Sequence, residues 1–338
     1  MNLYMFFKTA IVIYKELRAQ KKYINDIVEP YLNELEVRHN GLFTKYQRFK
    51  ITSSYCLYVP VIVCYSVSRL IGQPISQEQR KSATMMGLIT PLYDDLLDEL
   101  NLTPNQIEQL TTAPENYQSD VFLVNAVKEI GIDLNNSAFD KAAYLHVSKD
   151  VLQVQINTIE QFNPNISSDE LQKITWDKAM ISFVYYYTHL FGTPTKEMRE
   201  ALYEVAGLQQ FCNDLFDMYK DCQGKSYTLA NTCQDFSNLK TFFFEKNKEL
   251  FQKVSALPYP KKDKEYFMIR MLLIICSGLV AINYMIKLEK IKGKPVNWFT
   301  LSRKELVIDM EKPKNLILWF LSLWKLMRLY QKTALQIQ

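Results

Sequence analysis

The chain has 338 residues, of which 48% are apolar and 13% aromatic, enough to bury a large core and to exclude a disordered chain or a minimal scaffold. Its 40 Lys and Arg stand against 36 Asp and Glu, too even a balance for a nucleic-acid binder, which needs a basic surface. Only 9 glycines leave little turn chemistry for hairpins, so the composition predicts an all-α fold.

From the N-terminus, MNLYMFFKTAIVIYKELRAQKK has no charged residue ahead of its apolar stretch and no small-residue cleavage site. No signal peptide is expected there, and the protein is expected to be cytoplasmic. Long helices are expected near 42–70, 76–100, 137–162, 167–190, 194–222, 235–256 and 261–290. Four starts pair a capping hydroxyl with Glu or Gln three residues on: Ser76 with Gln79, Thr103 with Gln106, Ser167 with Glu170, and Ser302 with Glu305. Pro104 and Pro194 are expected at first helical positions. No Pro/Gly/Ser-rich linker interrupts the series, which predicts one domain over 1–338. The most apolar run, Met271 to Ile286, is about sixteen residues, short of the roughly 20 that cross a bilayer. It reads as a core helix, and no transmembrane segment is expected. The C-terminal stretch NLILWFLSLWKLMRLYQK is apolar around most of its circumference. Docking on the core is its first reading, and a peripheral membrane contact or a homodimer interface its second.

Cysteines at 56, 64, 212, 222, 233 and 276 form no CxxC pair, so reduced thiols and no zinc are expected. His39, His146 and His189 lie too far apart in sequence to suggest a histidine metal site or a Ser-His-Asp relay. The chemistry is instead written in acids. DDLLDE places Asp94, Asp95, Asp98 and Glu99 at the C-terminal end of an apolar helix. Each anion there is unfavourable by about 0.3–1 kcal/mol, so the group calls for a cation. Asp94 and Asp98 share a face at i and i+4, a spacing that suits magnesium, with its liking for one or two carboxylates plus phosphate oxygens. About 120 residues on, Asn213, Asp214, Asp217 and Asp221 lie within one helix, with Asn213, Asp217 and Asp221 along one side. All are oxygen donors, the set for a hard cation. Either cluster alone reads more readily as a solvated acidic face; the pair points to shared divalent-cation chemistry.

These residues resemble the class I isoprenoid synthase superfamily. DDLLDE is similar to its first aspartate-rich motif. Asn213 to Asp221 resembles the terpene synthase pattern Asn-Asp-x-x-Ser/Thr-x-x-x-Glu, with Asp217 and Asp221 at its last two ligand positions. Gln209 with Asn213, Asp214 and Asp217 also resembles the second prenyltransferase motif. Lys178 to Phe183 is similar to Lys-Thr-x-x-x-Phe, whose lysine contacts diphosphate, with Ala179 in the threonine position. Gly224-Lys225-Ser226 is similar to the Gly-Lys that follows the second prenyltransferase motif. The resemblance spans about residues 85–230 of the sequence. No Arg-Arg-Gly follows DDLLDE, which speaks against chain elongation.

The resemblance implies a single-domain antiparallel helical bundle around a central cavity and a magnesium-dependent terpene synthase acting on a prenyl diphosphate. It implies three magnesium ions (Mg2+) held by Asp94 and Asp98 and by Asn213, Asp217 and Asp221, with Asp95, Glu99 and Asp214 as further candidate ligands. Lys178, Lys220, Lys225 and Gln209 become candidate diphosphate contacts. Tyr93, Phe183, Tyr186 and Phe211 become candidate walls for an allylic cation. A squalene- or phytoene-synthase-like enzyme or a chain-elongating prenyltransferase is the alternative within the superfamily. A non-catalytic helical interaction protein is the alternative from another class.

Overall fold

The computed structural model describes residues 3–337; the side chains at 3, 4, 98 and 337 lie outside the described residues. The described chain is all-α, 81% helical and without strands. By their contacts the residues group into two compact units. One is Leu3–Gln153 with Phe183–Pro194, and the other is Val154–Ser182 with Thr195–Gln338.

The first unit opens with α1 (Leu3–Tyr23) and α2 (Glu29–Arg38), joined by a π-helical turn at Ile24–Val28. Then α3 (Lys45–Lys50), α4 (Cys56–Tyr58) and α5 (Tyr65–Leu70) form one run, widened at Ile51–Tyr55 and Val59–Cys64 into π turns. Pro60 in the second turn has no N–H to give, which favours the wider register. Gln20 Nε2 donates to the Cys56 carbonyl at 2.9 Å, meeting the hydrogen-bonding demand of a buried backbone group. α6 (Gln77–Asp98) packs on this run and on α8 (Phe122–Ser137), and α7 (Pro104–Thr112) and α9 (Lys141–Asn157) complete the unit. The reciprocal Ser76/Gln79 cap starts α6. Gly87 lets it approach the run: a Cβ there would lie 2.9 Å from the Tyr55 carbonyl oxygen.

The second unit takes the first part of α10 (Ser168–Phe191) and then α11 (Lys196–Gly224), α12 (Phe236–Ala256), α13 (Lys261–Lys292), the one-turn α14 (Arg303–Leu306) and α15 (Pro313–Ile337). Its core is the mutual packing of α11, α12, α13 and α15. Close approach again needs glycine. A Cβ at Gly207 would fall 2.3 Å from the Trp176 ring, and one at Gly278 2.5 Å from Cys212 Sγ. Trp176 is wholly buried and donates from Nε1 to Glu204 at 3.2 Å. All six cysteines are free, and all but Cys233 are buried.

The expected long helices are present with shifted ends. That expected over 137–162 is α9, which ends at Asn157 before a 3₁₀ turn. Pro194 does not open α11; Thr195 is the cap, accepting from Met198 N at 3.2 Å, and the proline precedes it. Ser302 and Glu305 start only a single turn. Three helices, α1, α2 and α8, were not expected. The stretches Lys45–Leu70 and Lys261–Lys292 are long and apolar enough to cross a membrane by length and composition alone. Their apolar windows are 50% and 67% buried inside the protein, a degree of burial that core helices also reach.

Candidate metal and diphosphate site

The first acidic cluster closes α6. Pro91 inside that helix has no N–H for the carbonyl four residues back, and Glu99 sits at the C-cap, its N–H on the Asp95 carbonyl at 2.9 Å. Asp94 and Asp95 therefore share the helix end whose dipole disfavours anions. Their surroundings differ. Asp95 is buried, accepts from Gln47 Nε2 at 3.0 Å and is ion-paired with Lys50. Its charge is already answered by α3. Asp94 is half-buried and Glu99 exposed; the Asp98 side chain lies outside the described residues.

Aromatic residues of the same unit gather near this helix. Tyr93 accepts from Thr111 Oγ1 at 3.1 Å, and burial pushes its hydroxyl up to about 12. Tyr186 is buried and shares a 2.9 Å hydrogen bond with Thr90 on α6. Phe183 is half-buried. Tyr185 stacks on Tyr144 with ring centroids 5.0 Å apart, and the two hydroxyls hydrogen-bond. His189 meets the Tyr144 ring edge-on at 4.7 Å and bonds the Leu134 carbonyl at 3.1 Å. Burial lowers its pKa to about 4, so the imidazole is neutral at pH 7. Neither Tyr144 nor His189 in this role was visible in the sequence, because α9 and α10 are joined by no motif.

The second cluster lies along α11. Apolar Leu208, Phe211, Leu215 and Met218 are fully buried, which turns Asn213, Asp217 and Asp221 outward along another side. Asn213 Nδ2 donates to Asp217 Oδ2 at 3.2 Å. Asp214 points inward: it is 6% exposed, its Oδ1 accepts from Gln210 at 2.8 Å, and its Oδ2 makes no well-formed hydrogen bond. Burial raises its pKa to about 6, with Asp217 adding to the shift and Gln210, Lys178 and Thr175 opposing it. Burial, then Asp214 and Asp217, raise Asp221 to about 7 against the pull of Lys220 and Lys178. Asp214 and Asp221 are thus both held above the ordinary carboxylate range, by burial first and by neighbouring acids after it.

Lys178 on α10 acts on both Asp214 and Asp221 and is half-buried, whereas Lys220 and Lys225 are exposed. Lys225 ends α11 in the left-handed conformation at φ 53°. Gln209 contacts Met271 Sδ at 3.5 Å. Phe211 is core, with Trp176, Phe242 and Phe243 centroids 6.1–6.3 Å away. The two acidic clusters belong to different units. Among the described residues, no three or more His, Cys, Asp or Glu side chains come together as a metal centre. The oxygen-only donors Asn213, Asp217 and Asp221 of α11 nevertheless fit a hard divalent cation in chemistry. Comparison with protein-family models, characterised proteins and solved structures yields no match to this chain.

Proposed function

We propose that the chain is a magnesium-dependent class I terpene synthase that ionises a prenyl diphosphate and releases diphosphate. The single-domain antiparallel bundle around a central cavity is part of the same proposal. One observation carries it: on α11, Asp214 and Asp221 have pKa values raised to about 6 and about 7 by burial, with neighbouring acids adding to the shift. A solvated acidic face has no reason to bury one of its acids beside two others.

Asn213, Asp217 and Asp221 are the proposed ligands on α11, and Asp94 and Asp98 those on α6. Magnesium, when bound, supplies positive charge that stabilises the leaving diphosphate. Lys178 is the proposed protein contact for that diphosphate, because it already lies in the field of the acids that would bind the ions. Four tyrosines of the first unit have no charged form at neutral pH, since desolvation holds Tyr93, Tyr144, Tyr185 and Tyr186 above their ordinary range. They offer neutral π-faces to a carbocation.

The test is thermal unfolding with magnesium alone, pyrophosphate alone and both, followed by product mass after incubation with prenyl diphosphates of increasing length. Stabilisation that requires both ligands, with one diphosphate released per substrate, is the expected result. Two substrates consumed per product would assign the coupling or elongating branch instead. The second reading, a non-catalytic helical interaction protein, is favoured by the capture of Asp95 by Lys50 and Gln47 and by the lack of a three-acid centre among the described residues. No stabilisation and no turnover would select it.

A further inference from the structure

The C-terminal helix α15 has two faces of different character. Its inner face is fixed: Leu323, Leu326, Met327 and Tyr330 are buried, Tyr330 meets Phe251 edge-on at 5.5 Å, and Trp319 Nε1 donates to the Leu273 carbonyl at 2.9 Å. The other side leaves Leu316, Ile317 and Leu321 exposed at 51%, 60% and 56%, with Phe320 at their edge. Four contiguous apolar side chains on one helix end are a patch, unlike apolar residues scattered singly.

The charge on this helix is one-signed. Between Pro313 and Ile337 it carries Lys314, Lys325, Arg328 and Lys332 and no acidic residue. At 100° per residue, Lys314, Arg328 and Lys332 fall on the same side as Ile317 and Leu321. The Arg328 guanidinium lies 5.0 Å from the Trp324 ring and Lys325 Nζ 4.3 Å from the Phe244 ring, so these cations stand beside apolar surface with their stems along it. Lys240 next to Lys325 is pushed down by burial and by that like charge.

We propose that the outer face of α15 docks on an anionic lipid bilayer, with Leu316, Ile317, Phe320 and Leu321 entering the acyl boundary and the four cations meeting acidic headgroups. Both halves of the face are matched by such a leaflet: apolar depth at the centre and negative potential at the rim. A second copy of this chain matches only the first half. A two-fold contact would set the same patch against itself and bring four cations against four. This inference does not depend on the diphosphate chemistry proposed above.

The experiment is cosedimentation of the full chain with phosphatidylcholine vesicles, with and without phosphatidylserine, across a range of salt. Binding is expected only with phosphatidylserine and should weaken as salt rises. The double variant Ile317→Ser/Leu321→Ser, both positions exposed, should keep its helical circular dichroism and lose affinity on the order of a hundredfold. Lys314→Gln and Lys332→Gln should each cost roughly fivefold. Absence of wild-type binding, or unchanged binding by the serine variant, overturns the proposal. So does a dimer in ultracentrifugation that the serine variant abolishes while no vesicle is bound, which would assign the face to a second copy.

Discussion

Burial raises Asp214 and Asp221 above the ordinary carboxylate range. Each has a folded pKa above its unfolded value, so the folded state holds more protons between about pH 4 and 7. Their contribution to stability is thus fullest below about pH 4 and declines as pH rises through 6 and 7. For the metal-free protein, Asp214→Asn should match wild type near pH 4 and exceed it by about 1–2 kcal/mol at pH 8. Urea denaturation at several pH values measures that gap, and a gap independent of pH would show that the acid does not titrate as described. The adjacent pair Asp94 and Asp95 makes a different point. Asp95→Ala would leave Lys50 facing a vacated partner and should cost about 3 kcal/mol by the same denaturation measurement. Nothing in the sequence distinguishes these neighbours as acids, because the lysine that claims one of them lies 45 residues away.

At the scale of elements, helices with a written start were legible and helices without one were not. The caps at Ser76, Thr103 and Ser167 are formed by the side chains the sequence offered. α8 has Val121 at its N-cap and no side-chain cap, so its packing on α6, α7 and α2 is what marks it. The π turn at Ile51–Tyr55 was also hidden; just after it, the Cys56 carbonyl is met by Gln20, from elsewhere in the unit. Gly87 reports on that packing. Gly87→Ala places a methyl group 2.9 Å from the Tyr55 carbonyl oxygen and 3.2 Å from Cys56 Cα. It should therefore destabilise by about 1–3 kcal/mol, despite alanine's better helix propensity. A gain in melting temperature in that variant would mean that α6 does not lie against residues 55 and 56.

At the scale of the molecule, the proposed chemistry is tested by one substitution in each acidic cluster. Asp94→Ala and Asn213→Ala should each abolish magnesium-dependent diphosphate release while leaving the helical circular dichroism intact. Unchanged turnover by either variant, with a substrate that the wild type converts, would remove that residue from the reaction. The acids could be picked out from type and spacing because an i, i+4 series fixes a helix side. Their burial could not, since Asp214 and Asp217 differ by less than one turn and yet one faces the core.

The sulfur chemistry follows from the same burial. Cys56 and Cys64 sit in the first unit, and Cys212, Cys222 and Cys276 in the second. Desolvation raises every one of these thiols, Cys212 to about 12 and Cys222 to about 11. The nucleophilic thiolate is therefore scarce in the native state, and alkylation of these five positions must wait for local opening. The chain thus carries an internal clock in each half, readable by the order in which its sulfurs become reactive.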